Sequence, residues 1–272
     1  MPAGPIFRPS KIPVATLALS IAVLGAYFFL SGGNPYISDE AFGPLAAVWG
    51  NGAFGVFTHL FLHVGPPHLF GNLLPLLLFG AIVEIAAGSR AALAVFFISG
   101  VLSGALFSFL NPGVPLAGAS AAVSGLMGAA LVSKPRKALV FLLATPVVLQ
   151  FLVVPAVNYG SSMYSQSVSQ QAVQLSQEVK TLVAQNRTAE AVVVSQKLER
   201  VEGQAQQVAQ GKKREFESET TLSVHLFGAI LGVLYLFLFA NGALVRGKRE
   251  YADLGESLYA ATRKAKKALK IR

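Results

Sequence analysis

Residues 118–132 read GASAAVSGLMGAALV, an apolar run closed at its far end by Lys134, Arg136 and Lys137. As a helix, those fifteen residues rise about 22 Å, whereas the hydrocarbon core of a bilayer is about 30 Å thick. With the three cations held at one interface, the helix start at Gly118, Ala119 and Ser120 is expected several ångströms below the opposite surface. Backbone groups that open at such depth survive only inside protein or beside a water-filled cavity. The stretch therefore predicts a short helix surrounded by others, with its N-terminus at a cavity.

Working outward, five further apolar runs flank this one, at about 12–30, 67–87, 91–110, 138–157 and 222–245, each near the length needed to cross a bilayer. The first follows Arg8 and Lys11 and so also resembles a secretory signal. Its length and the lack of an A-x-A-like site favour a retained span. Composition agrees with lipid as the solvent: the 272 residues are 53% hydrophobic and 13% charged, with a mean hydropathy of +0.57. Soluble domains carry about a quarter charged residues. The fold class expected is an all-α polytopic membrane protein.

The net charge of +9 resolves into topology. Of 22 Lys and Arg, fifteen fall in segments that six spans place on one side: Arg8, Lys11, Arg90, Lys134, Arg136, Lys137 and nine between Arg246 and Arg272. The other seven lie within 159–220, where seven Glu balance them. The positive-inside rule then puts both termini in the cytoplasm of a multi-pass protein of the cell membrane. The charge is not a nucleic-acid signal.

Four regions follow: 1–158 with five spans, a polar insert at 159–221, a sixth span at 222–245 and a basic tail at 246–272. In the insert, Val168, Ala172, Leu175, Val179 and Leu182 are spaced 4-3-4-3, and Val194, Leu198, Val201, Ala205 and Val208 repeat the spacing. That pattern predicts two helices joined near Asn186-Arg187-Thr188 and paired as an extracytoplasmic hairpin; a disordered polar insert is the alternative. Asn186-Arg187-Thr188 is also a glycosylation sequon. The tail sets Tyr251, Leu254, Leu258, Ala265 and Leu269 on one face, which suits an interfacial helix or a solvated basic one. Loop 31–66 is apolar and expected to dip into the membrane through Leu45, Trp49, Phe54, Phe57 and Phe61.

Reactive groups are few. There is no Cys, so disulfides, thiol catalysis and Cys-bound metals are excluded. The only Asp residues, Asp39 and Asp253, lie outside the spans, which excludes paired membrane aspartates. Leu60 follows His59, so no H-E-x-x-H motif exists, and no metal or cofactor is expected. Glu84, the one acid within a span, is expected to pair with a polar group near the inner end.

The four histidines all fall near the outer face. His59 and His63 precede the second span, as interfacial residues or as part of a site. Pro66 and Pro67 suit a helix start, which puts His68 in the first turn and Asn72 one turn further on the same face. Ser120, Ser124 and Gly128 form a small face on the fourth span, and His225, Gly228 and Gly232 share a face of the sixth. Such faces let helices approach closely. Two readings stand: packing alone, or a Ser120 nucleophile beside a His225 base, with His68, Asn72 and the Ser120 amide as oxyanion donors.

Phe57 to Asn72, F-T-H-L-F-L-H-V-G-P-P-H-L-F-G-N, resembles the second-span signature H-x-x-x-x-H-x-x-x-N of rhomboid intramembrane serine proteases, with His63, His68 and Asn72 at its positions. Gly118-Ala119-Ser120 resembles the G-x-S-G nucleophile motif. His225 with Gly228 and Gly232 resembles H-x-x-G-x-x-x-G of the last span. The resemblance implies a rhomboid-like bundle of six transmembrane helices with an insert between helices 5 and 6. It implies Ser120 as nucleophile, His225 as base, His68 and Asn72 in the oxyanion site, and His63 and Gly118 in its packing. It also implies that transmembrane protein substrates are cut near the outer face. A catalytically inactive rhomboid-like protein that binds client helices is the alternative. Ala121 replaces the motif's glycine, and Ser124 stands where the best-studied branch has an aromatic residue. Pro146 and Pro155 are expected to interrupt and loosen the fifth span. The insert, 163–212, would be a substrate filter or a contact with a second copy.

Overall fold

The computed structural model describes residues 12–50, 53–217 and 222–270. Arg8, Lys11 and Arg272, and the side chain of Leu269, lie outside what is described.

Helix α1 (Val14–Ser31) is followed by two short helices, α2 (Asp39–Leu45) and α3 (Ala53–Thr58), and by a 3-10 turn at His59–Phe61. Then come α4 (Pro66–Ala87), α5 (Ser89–Leu110) and α6 (Ser120–Ser133). Among the described residues, five helices are long and apolar enough to cross a membrane, namely α1, α4, α5, a continuous helix Pro135–Ala184 and one at Leu222–Phe239. The 14-residue α6 is apolar but shorter, as its sequence predicts.

Helix α6 is the hub. It packs against α4, α5 and the later span α10 (Leu222–Phe239). Ala121, Ala122, Val123, Gly125, Leu126, Gly128, Ala129 and Ala130 are all buried, and a helix that is apolar all round belongs in an interior. Fully buried Phe79 from α4, Phe96 from α5 and Leu236 from α10 share one core cluster with Ala122, Leu126 and Ala129 of α6. Pro66 and Pro67 occupy the first turn of α4, where the missing N–H costs nothing. Gly88, at φ 94°, links α4 to α5, a backbone state that glycine adopts without a Cβ penalty.

Glu84 of α4 finds its partners at the starts of α1 and α5. Its carboxylate accepts from the Ala15 and Thr16 amides at 2.9 and 2.7 Å, from Thr16 Oγ1 at 2.7 Å and from Ser89 Oγ at 2.6 Å. An acid at a helix N-terminus takes up donors that would otherwise be orphaned and complements the helix dipole.

Pro146 and Pro155 do not interrupt the fifth span. Helix α7 (Pro135–Val148) passes through a π-helical turn at Leu149–Val153 into α8 (Val154–Ala184). A π turn widens the helix by one residue, the usual way a chain accommodates a crowding ring or an unpaired carbonyl, and the helix carries straight into the first arm of the insert. A tight turn at 185–187, with Asn186 at φ 58°, leads to α9 (Thr188–Glu217). Val168, Leu182, Ala191, Val194, Val201 and Val208 are buried along the α8–α9 seam.

Helix α9 is tied to the first loop. Asn34 Nδ2 donates to the Gln204 carbonyl at 3.1 Å and Gln207 Nε2 to the Tyr36 carbonyl at 2.6 Å. Arg214 donates to the Ile37 carbonyl at 3.2 Å, pairs with Asp39 and lies 4.4 Å over the Phe42 ring. Loop 31–66 is largely helical, with Trp49, Phe54 and Phe57 exposed. The amphipathic α11 (Asn241–Lys270) passes under α6, anchored by Tyr251 Oη donating to the Leu131 carbonyl at 3.0 Å and by a 3.0 Å Lys134–Glu250 ion pair.

Candidate active site

The segment before α6 is held by histidines. Gly118 N–H donates to the His59 carbonyl at 2.8 Å, and Ala119 N–H donates to His63 Nε2 at 3.4 Å. Because His63 accepts at Nε2, its proton lies on Nδ1 and the ring is neutral. Burial is the main force holding His63 well below the usual imidazole pKa, reinforced by neighbouring His68. The His63 and His68 rings meet edge to face, with centroids 5.1 Å apart.

Gly118 sits at φ 102°, and a Cβ there would stand 2.9 Å from His68 Cε1 and 3.6 Å from Asn72 Nδ2. Only a glycine gives both the backbone state and the room. Asn72, buried one turn into α4, donates to the His68 carbonyl at 2.9 Å. Four expected site residues, His63, His68, Asn72 and Gly118, thus converge immediately ahead of Ser120, the first residue of α6.

Helix α10 lies against α6 with backbone touching backbone. A Cβ on Gly228 would be 3.1 Å from the Ala121 carbonyl carbon, and one on Gly232 would be 2.6 Å from that of Gly125. Val224 packs in one cluster with Ala121 and Phe107. Ser120 and His225 therefore occupy the first turns of two helices in direct contact. Ser120, His225 and His68 are each partly exposed, whereas His63, Asn72 and Gly118 are buried.

His59 has a larger part than an interfacial residue. It is fully buried, its Nδ1 donates to the Gly55 carbonyl at 3.3 Å, and its ring fills the space at Gly104, where a Cβ would come within 2.8 Å of Nε2. Burial pushes its pKa down to about 4. Gly100 and Gly104, one turn apart on α5, were the available signal for a helix face that receives loop side chains.

His63, His68, Asn72 and Gly118 thus meet beside the first turns of α6 and α10. Residues 46–173 match the family model of the Rhomboid domain. The matched range contains His59, His63, His68, Asn72, Gly118 and Ser120, and ends before His225. No curated protein matches the chain.

Proposed function

On the premise that residues 46–173 are a rhomboid domain, in a family of intramembrane proteases and related proteins, we propose that this chain is a serine endopeptidase. It cleaves transmembrane segments of other membrane proteins with a Ser120–His225 dyad. The observation that carries the reading is the convergence of His63, His68 and Asn72 on Gly118 and Ala119, with the first turn of α10 packed beside the first turn of α6.

In this mechanism Ser120 Oγ attacks the scissile carbonyl carbon while His225 takes the hydroxyl proton. The tetrahedral oxyanion is met by donors at the α6 N-terminus, by His68 and by the Asn72 amide. His225 then passes its proton to the leaving amine, and the C–N bond breaks to leave an acyl-Ser120. A water, deprotonated by His225, attacks the acyl carbon and releases the new carboxyl terminus together with Ser120. Buried neutral His63 holds the Ala119 amide in place, and Gly118 provides the clearance for His68.

The orientation proposed is the one the cations suggest, with both termini cytoplasmic and the α8–α9 hairpin, 163–212, outside as substrate filter or contact with a second copy. The chemistry is tested by labelling the purified full chain in detergent with a serine-directed fluorophosphonate. Wild type labels and cleaves a model transmembrane substrate; Ser120→Ala and His225→Ala do neither. Absence of Ser120-dependent labelling from a folded wild type refutes the protease and leaves the inactive client-binding reading.

A further inference from the structure

At the end of the bundle opposite the histidines, α4 and α7 part to leave an apolar groove of about 520 Å³, within the roughly 300–1,000 Å³ of ordinary small-molecule sites. Its walls are Leu78, Ala81 and Ile85 on α4 and Val140 and Phe141 on α7. Its mouth is different in kind: Lys134, Arg136 and Lys137 line it together. Ile85 and Val140 are 40% and 61% exposed, so the groove opens sideways, where lipid chains lie.

The charges at the mouth are unequal in commitment. Lys134 pairs with Glu250 of α11 at 3.0 Å. Arg136 and Lys137 are exposed and, among the described residues, neither is in an ion pair. Two uncommitted cations therefore stand at one end of an otherwise apolar trough, at the depth where an apolar span gives way to basic residues. A transmembrane peptide would match the walls and leave these charges without a counterpart. A phospholipid matches both parts.

We propose that this groove is a binding site for one anionic phospholipid of the leaflet facing the chain's basic ends. Its phosphate lies between Arg136 and Lys137, and one acyl chain lies along Ala81, Ile85 and Val140. Basic pockets between transmembrane helices bind anionic head groups in this way. Naming the inner leaflet rests on the orientation proposed above; the binding does not, and Ser120 labelling reports that function separately.

The test is native mass spectrometry of the full chain in detergent, titrated with phosphatidylglycerol or phosphatidylcholine. Wild type retains one phosphatidylglycerol in preference to phosphatidylcholine. R136Q/K137Q weakens that retention about tenfold or more, Ala81→Phe removes it by filling the groove, and R263Q/K264Q on the tail leaves it intact. Helicity and thermal midpoint are followed for each variant, and Val140→Trp replaces Ala81→Phe if the latter fails to fold. The proposal is overturned if the groove-filling variant retains the lipid or if the tail variant loses it equally. It also fails if glycerol phosphate at the lipid's concentration displaces the lipid, or if a transmembrane peptide rather than lipid is what the groove-filling change excludes.

Discussion

Replacing Gly232 with alanine tests the α6–α10 contact most directly. The added methyl would stand 2.6 Å from the carbonyl carbon and 2.9 Å from the Cα of Gly125, against backbone that cannot rotate away. Ordinary van der Waals contact begins near 3.4 Å and the Gly125 carbonyl oxygen is nearer still, so α10 must retreat by at least 3.4 minus 2.6, or about 0.8 Å, or tilt about that point. Overpacking of this kind costs about 1–3 kcal/mol. His225 lies two turns away on the same helix and moves with it, and a displacement near 1 Å lowers rates about 100-fold. The assay is the second-order rate of fluorophosphonate labelling at Ser120, with thermal unfolding in the same detergent. Gly25→Ala, on an exposed face of α1 with nothing within 4 Å, is the control and keeps the wild-type rate. A Gly232→Ala protein that labels at the wild-type rate refutes the inference that tight α6–α10 contact positions the dyad.

Gly118→Ala forces a side chain into φ 102° and against His68; it costs about 1–3 kcal/mol in backbone strain and lowers the labelling rate while helicity persists. Glu84→Gln removes the charge and turns one of the two carboxylate oxygens, each of which accepts two hydrogen bonds from the starts of α1 and α5, into a donor. It lowers stability by about 1–3 kcal/mol in thermal unfolding, with labelling per folded molecule unchanged. His59, held at about 4 by burial, binds its proton more readily when unfolded, near 6.5. Its contribution to stability is therefore complete above pH 6.5 and is lost toward pH 4, by up to about 1.4 kcal/mol per pH unit. Thermal midpoints should fall between pH 7 and 5, and His59→Gln should flatten that dependence; an unchanged slope sinks the assignment. Deleting 163–212 leaves Ser120 labelling in place, and its loss would make the hairpin part of the site.

Hydropathy and charge made the bundle legible, because a span has to be apolar along its whole length. The shortness of 118–132 marked the hub for the same reason. His68 and Asn72 were readable from Pro66-Pro67, which fix where the helix starts and hence which face they share. Continuity from Pro135 to Ala184 was not readable: proline removes donors, and whether the helix breaks or widens into a π turn depends on neighbours that one sequence does not specify. The ties of α9 to Ser31–Asp39 span about 170 residues, for instance from Asn34 to Gln204, and apart from the Arg214–Asp39 pair their hydrogen bonds end on backbone carbonyls, which leave no pattern in side-chain identity. Sequence left His59 open between an interfacial residue and a site residue, because its ring sits in the space at Gly104, which no periodicity of its own loop reveals.

The unbroken helix Pro135–Ala184 also has a mechanical meaning. Beyond the π turn, α8 is an arm of 31 residues, about 46 Å long at 1.5 Å per residue. A bend of about 5° at that turn sweeps the far end through about 4 Å. Conversely, a load applied at the 185–187 turn reaches the span as torque, multiplied by the length of the arm. The returning helix of the hairpin, α9, is moored at Asn34, Tyr36, Ile37 and Asp39, and the Ile37 amide donates in turn to the carbonyl of Val64, beside His63. The projection is thus a lever with its fulcrum at Leu149–Val153 and its tether one residue from the histidines.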